Sequence, residues 1–169
     1  REPRRLREMY DPNAVGQGTF LARRLVEAGV SCVLANSSIN NSWDAHSDNF
    51  NTLKDTLLPP MDQPASALLT DLQQRGMLDE VLVLMLGEKG TTPRVNKEFG
   101  RDHWPDVYSL MIAGGGLDRG QVLGSSTRHS ETPRDRPVHY HEILATLYHQ
   151  LGIAPDHVVA DGLGRPIRI

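Results

Sequence analysis

The chain has 169 residues, enough for one α/β domain with a real core. With 38% hydrophobic and 23% charged residues it is neither a disordered segment nor a coiled coil. A net charge of −3 gives no electrostatic case for nucleic acid or an anionic membrane as partner, and no apolar run approaches the roughly 18 residues of a membrane span.

The N-terminal stretch "REPRRLREMYDP" lacks the apolar core of a signal peptide. A first helix is predicted from Ala14 to Ala28, capped by Asp11 or Asn13 and stopped by Gly29. "VSCVLAN", from Val30, reads as a short buried strand, and its Cys32 as a small buried hydrophobe. A lone cysteine excludes an intrachain disulfide framework. The polar loop "NSSINNSWDAHSDN" follows. A helical region starts near Ser47 or Asp48, is complicated by Pro59, Pro60 and Pro64, and ends at about Arg75 before Gly76.

"EVLVLML", residues 80–86, is continuous and apolar, as expected for a strand covered on both faces. A loop of about twenty residues follows, to 106, a length uncommon unless functional. "VYSLMIA", 107–113, is a second buried strand, ended by Gly114, Gly115 and Gly116. "QVLG" reads as a short edge strand, "YHEILATLYHQLG" as an amphipathic helix, and "GLGRPIRI" as an extended tail. Strands alternating with helices predict one α/β domain over 1–169 with a mainly parallel sheet flanked by helices. Ligands in such sheets bind beyond the C-terminal strand edges.

Polar clusters fall at those edges. The first holds Asp44, His46 and Asp48; the second Glu88; the third, "GRDHWP", Asp102 and His103. Each alone has a plain reading: helix caps for Asp44 and Asp48, a loop histidine for His46, a solvated glutamate for Glu88, a hydrogen-bonded pair for Asp102 and His103. Together they place imidazole and carboxylate side by side. That donor set suits Zn²⁺, Mn²⁺ or Fe better than Mg²⁺ or Ca²⁺. His129 lies in a loop with Arg128, Glu131 and Arg134 and is a candidate contact to an anionic substrate. There is no G-x-S-x-G elbow, and the glycines at 114–116 lack the phosphate-cradle spacing.

"WDAHSDNF", "GEKGTTP" and "GRDHWPDVYSLMIAGGG", with the segments between them, resemble the C-terminal half of the DUF1501 family. That family is bacterial and related to the alkaline phosphatase and sulfatase superfamily. The resemblance implies a partial alkaline phosphatase-like three-layer sandwich that cleaves phosphate, phosphonate or sulfate esters with zinc. On this chain it implies Asp44 and His46 as metal ligands, His103 as the late histidine completing the site, and Glu88 as a fourth ligand or general base. Asp102 is implied as the partner that orients a ligand. Lys89 and Thr91 depart from the family's G-E-F-G-R-T-P, so the arginine of that motif is missing. The superfamily's first aspartate and its nucleophile belong to an N-terminal half without counterpart here. The expected activity is therefore hydrolysis of phosphate esters, di- or triesters favoured, and of sulfate esters, by a metal-activated water. Lys89, Arg101 and Arg94 are the expected charge-stabilising groups. The alternative is a non-catalytic metal-binding remnant or interaction module. A homodimer or higher oligomer is expected, because a half-domain leaves sheet edge and apolar face uncovered. Relatives are often exported, and the compartment of this chain stays open.

Overall fold

The computed structural model describes residues 2–37 and 43–168. Helix α1 (Arg4–Met9) turns sharply into α2 (Ala14–Glu27). Asn13 caps α2: its Oδ1 accepts from the Gly16 N–H at 2.7 Å. Gly16 is required there, since a Cβ would collide with the Tyr10 carbonyl.

One long helical run covers residues 49–74. It comprises α3 (Asn49–Asn51), a π-helical turn (Thr52–Leu57) and α4 (Leu58–Gln74). The Leu58 N–H reaches back five residues to the Leu53 carbonyl. The cause lies just downstream. Pro59 and Pro60 have no N–H for the carbonyls of Asp55 and Thr56, so the α ladder is interrupted and the helix widens. Gly76, at φ +69°, ends the run.

The core lies between α1, α2 and α4. Tyr10, Phe20 and Ala67 form its centre, with Leu6, Met9 and Leu68 packed around it. A charge network is buried beside it. Arg23 is fully buried, with Nε 2.8 Å from Asp71 Oδ2 and Nη2 3.0 Å from Glu2 Oε1. Tyr10 donates to Asp71 Oδ2 at 2.9 Å. Burial, and then the hydrogen bond and charge of Asp71, push the Tyr10 hydroxyl well above its ordinary range.

The chain is mixed α/β, but its sheets are small. Strand β1 (Leu82–Met85) pairs with β4 (Met111–Gly114), Leu82 opposite Gly114 and Met85 opposite Met111. β2 (Gly90–Thr91) pairs with β3 (His103–Trp104), and β5 (Val158–Ala160) with β6 (Pro166–Arg168). Helix α5 (Tyr140–Gln150) precedes β5 and touches the turn after β4 through Gln150 Nε2, which donates to the Gly115 carbonyl at 2.8 Å.

Several expectations are corrected. All three described strand pairs are antiparallel, so the mainly parallel sheet is not met among the described residues. A parallel return needs a crossover, usually a helix, and the segment between β1 and β4 has none. Only Val83 of β1 is buried, so its apolar run is not covered on both faces. Residues 30–36 form no strand; Leu34 is 93% exposed and Cys32 is exposed rather than buried. An apolar run becomes a strand only beside an edge to pair with, and no described strand lies along it. "QVLG" likewise forms no strand, and Val122 and Leu123 are exposed. Part of the polar loop, 38–42, and Ile169 of the tail lie outside the described residues. Among the described residues no helix is long and apolar enough to cross a membrane.

Candidate metal centre

Three stretches are laced together before any side chain enters the site. The Asp48 N–H donates to the Glu98 carbonyl, the Asn49 N–H to Phe99 and the Arg101 N–H to Ala45. Ser47 and Phe99 form a bridge, and Asp48 and Phe99 both take left-handed conformations, at φ +44° and +56°. Gly100 sits where a Cβ would collide with the His46 carbonyl, so glycine alone permits this approach. The β2–β3 ribbon then sets Thr91 opposite His103.

On this frame Asp44, His46 and His103 converge. One ligand atom from each lies within 4.8 Å of the others. His46 Nε2 is 3.2 Å from His103 Nε2 and 3.3 Å from Asp44 Oδ1. His103 Nε2 is 2.9 Å from the same Asp44 oxygen. His46 Nδ1 lies 2.8 Å from Asp102 Oδ1. An ionised carboxylate only accepts, so Nδ1 carries the proton and Nε2 is left with a lone pair. His103 Nε2 meets the Asp44 carboxylate as a proton donor, and a cation would take the place of that proton, so one potential ligand atom from each of the three residues faces one point. Metal bonds of about 2.0–2.1 Å at tetrahedral angles put ligand atoms about 3.3 Å apart. The spacings match, and two imidazoles with a carboxylate are a fitting donor set for a borderline divalent cation. All three residues are exposed, so the site opens to solvent.

The electrostatics agree with this arrangement. The hydrogen bond to Asp102 holds His46 above its ordinary value, with Asp44 adding to the effect against desolvation. Desolvation pushes the Asp44 carboxyl up, but the His103 hydrogen bond and the charges of His103, Lys89 and His46 together hold it below the usual carboxylate range. Hydrogen bonds from His46 and Asn96 lower Asp102.

The family model described as "Protein of unknown function (DUF1501)" matches residues 1–169. The chain belongs to the DUF1501 family. Comparison with curated proteins and with solved structures gave no match.

Of the residues singled out in this DUF1501 chain, Asp44, His46 and His103 meet, and Asp102 stands behind His46. Glu88 is not in the cluster; its carboxylate points into solvent, 3.7 Å from Lys89 Nζ. Lys89 Nζ also lies 3.8 Å from Asp44 Oδ1. Arg101 is turned away from ligand duty: its Nε donates to the Thr92 carbonyl and its Nη2 to Thr91 at 3.0 Å. Arg94 and His129 are exposed, and among the described residues no hydrogen bond or ion pair joins either to the triad. The loop around His129 is nonetheless tied to the site's ribbon, since Trp104 Nε1 donates to the Glu131 carbonyl at 2.8 Å. Asp48 makes no side-chain cap; its Oδ1 accepts from Asn51 instead.

Sequence reasoning missed Asn96 and Thr92. The Asn96 amide donates to the His46 carbonyl at 2.9 Å and to Asp102 at 3.2 Å, while its oxygen accepts from the Glu98 and Gly100 N–H groups, both at 2.9 Å. Thr92 Oγ1 accepts from the Asp102 N–H at 3.0 Å. The available signal was the asparagine itself in a polar loop, a residue type whose side chain bonds its own backbone two residues on, here at Glu98.

Proposed function

We propose that Asp44, His46 and His103 hold one divalent metal ion, zinc or manganese, and that the chain hydrolyses phosphate esters, di- or triesters favoured, and sulfate esters. The observation that carries this reading is the convergence of three donor atoms at metal-ligand spacing, with His46 fixed by Asp102. When bound, the cation supplies Lewis acidity that acidifies water and polarises an ester oxygen. The chain's own residues do the rest. Asp102 holds the His46 ring in the tautomer that presents Nε2. Asn96 holds Asp102 and the His46 backbone in place. Glu88, whose exposed carboxylate lies beside Lys89, is the proposed general base. Three ligands leave an open position toward solvent, the pattern of catalytic rather than closed structural sites.

Kinship with the alkaline phosphatase and sulfatase superfamily is part of the proposal. The motifs W-D-x-H, G-E-x-G-x-T-P and G-R-D-H-W-P carry it, not the sheet. The second reading, a metal-binding remnant that only ties the loops together, is favoured by Arg101, whose donors brace backbone carbonyls.

Elemental analysis of the wild type and of His103→Ala, with a panel of phosphate and sulfate esters run with and without chelator, separates these readings. Stoichiometric metal that is lost in His103→Ala, with chelator-sensitive hydrolysis, is the expected result. Unchanged occupancy in the variant removes His103 from the site. Full occupancy without hydrolysis of any ester establishes the remnant.

A further inference from the structure

The triad carries one cation of its own. Lys89 Nζ lies 3.8 Å from Asp44 Oδ1, the oxygen that also faces both histidine Nε2 atoms. Its other neighbour is Glu88 Oε2 at 3.7 Å. Both distances are too long for good hydrogen bonds, so the ammonium is held by charge alone and is free to shift. Its side chain is 30% exposed, which leaves the head within reach of solvent. A divalent ion on the triad would share Asp44 Oδ1 with the ammonium, and two cations on one carboxylate oxygen repel.

The arginine beside the site cannot take over. Arg101 is fastened to the Thr91 and Thr92 carbonyls. The single mobile positive charge at the triad, among the described residues, is therefore Lys89.

We propose that Lys89 is an exchangeable anion-holding residue: it neutralises Asp44 while the triad is free of metal, and when metal binds it transfers its ammonium to a non-bridging oxygen of a singly charged oxyanion ester. This rests on the metal reading above and narrows its substrate class to monoanionic esters, phosphodiesters and sulfate monoesters, and away from neutral triesters. A neutral triester offers the ammonium no charge to hold. Metal and anion are then coupled through one side chain, and the coupling is reciprocal: the anion raises metal affinity because it gives Lys89 another place to sit.

The test uses Zn²⁺ titrations against a chromophoric chelator, on the whole chain, with no added ester, with dimethyl phosphate and with neutral trimethyl phosphate. In the wild type dimethyl phosphate is expected to raise zinc affinity by roughly five-fold or more, and trimethyl phosphate to have no effect. Lys89→Met is expected to bind zinc more tightly than the wild type when no ester is present, and to show no response to dimethyl phosphate. Lys89→Arg is expected to restore the response. Zinc uptake by Lys89→Met itself reports that the site is formed. An undiminished dimethyl phosphate effect in Lys89→Met, or an equal effect of trimethyl phosphate, overturns the role of Lys89 and leaves the metal site standing. Failure of every variant, wild type included, to bind zinc overturns both.

Discussion

Asp102 Oδ1 accepts from His46 Nδ1 at 2.8 Å, so the orientation of one ligand is decided by a residue 56 positions away. Asp102, among the described residues, is hydrogen-bonded through its carboxylate to His46 and Asn96 and not to Asp44 or the adjacent His103. Its replacement therefore separates orientation from ligation. Asp102→Ala is expected to lower zinc affinity about 10–100-fold while keeping all three ligands. A chelator-competition titration reads this directly, and an unchanged affinity would remove Asp102 from the site.

Gly100→Ala tests the frame rather than the ligands. The added methyl has to displace the His46 carbonyl, against which it would otherwise collide. The expected outcome is a loss of about 1–3 kcal/mol in urea unfolding, together with weakened metal binding. Wild-type stability in this variant would mean that the two loops are not in contact.

The helical core makes a separate prediction. Arg23 is wholly buried and depends on Asp71 at 2.8 Å. Removing Asp71 takes the acceptor from the buried Arg23 Nε and the Tyr10 hydroxyl while Glu2 and Glu27 still pair with the guanidinium, so the cost is that of unsatisfied buried donors, about 1–3 kcal/mol. Asp71→Ala is expected to lose stability on that scale in denaturant titration. The metal site, built on other loops, would keep its affinity as long as the chain is folded.

Acid acts on α5. Glu142 accepts from the His139 N–H at 2.9 Å and pairs with Arg136 at 2.7 Å. The His139 hydrogen bond first, then Arg136, hold its carboxyl below the ordinary 4.5. A depressed folded value means that the contribution is complete above about pH 4.5 and is lost as pH falls through the folded value. The stability difference between wild type and Glu142→Gln is thus expected to shrink on acidification, as followed by circular dichroism. A difference constant from pH 7 to pH 3 would refute the assignment.

Association is the last expectation. The chain exposes 12125 Å², against about 8,300 Å² for a folded monomer of 18.8 kDa. The surplus exceeds the roughly 1,600 Å² of a standard interface, and Leu34, Val122 and Leu163 are among the exposed apolar side chains. Light scattering at micromolar concentration is expected to show a dimer or larger species; a monomer would count against it.

What could be read from the sequence divides along physical lines. Asp44, His46 and His103 were legible because donor chemistry is written in residue type, and the loops holding them follow from polar composition. Helix α2 was legible because Asn13 and Gly29 mark its ends locally. The direction of β1 was not, since an apolar run encodes burial and not the path of its partner. Residues 30–36 misled for the same reason. Arg101 misled differently: its charge suggested an anion, and only the fold reveals that two backbone carbonyls claim it first.

The π-helical turn at Thr52–Leu57 has a consequence for length rather than identity. It holds one residue more than α geometry would. Deleting a residue there would remove the extra residue of the turn, with Pro59 and Pro60 still lacking N–H donors, and rotate everything upstream by about 100° about the axis. Asp48 and the loop that carries His46 would swing with it. The turn works as a phase setting between the leucines of α4 and the candidate ligands, and such a setting tolerates many substitutions but no change in count.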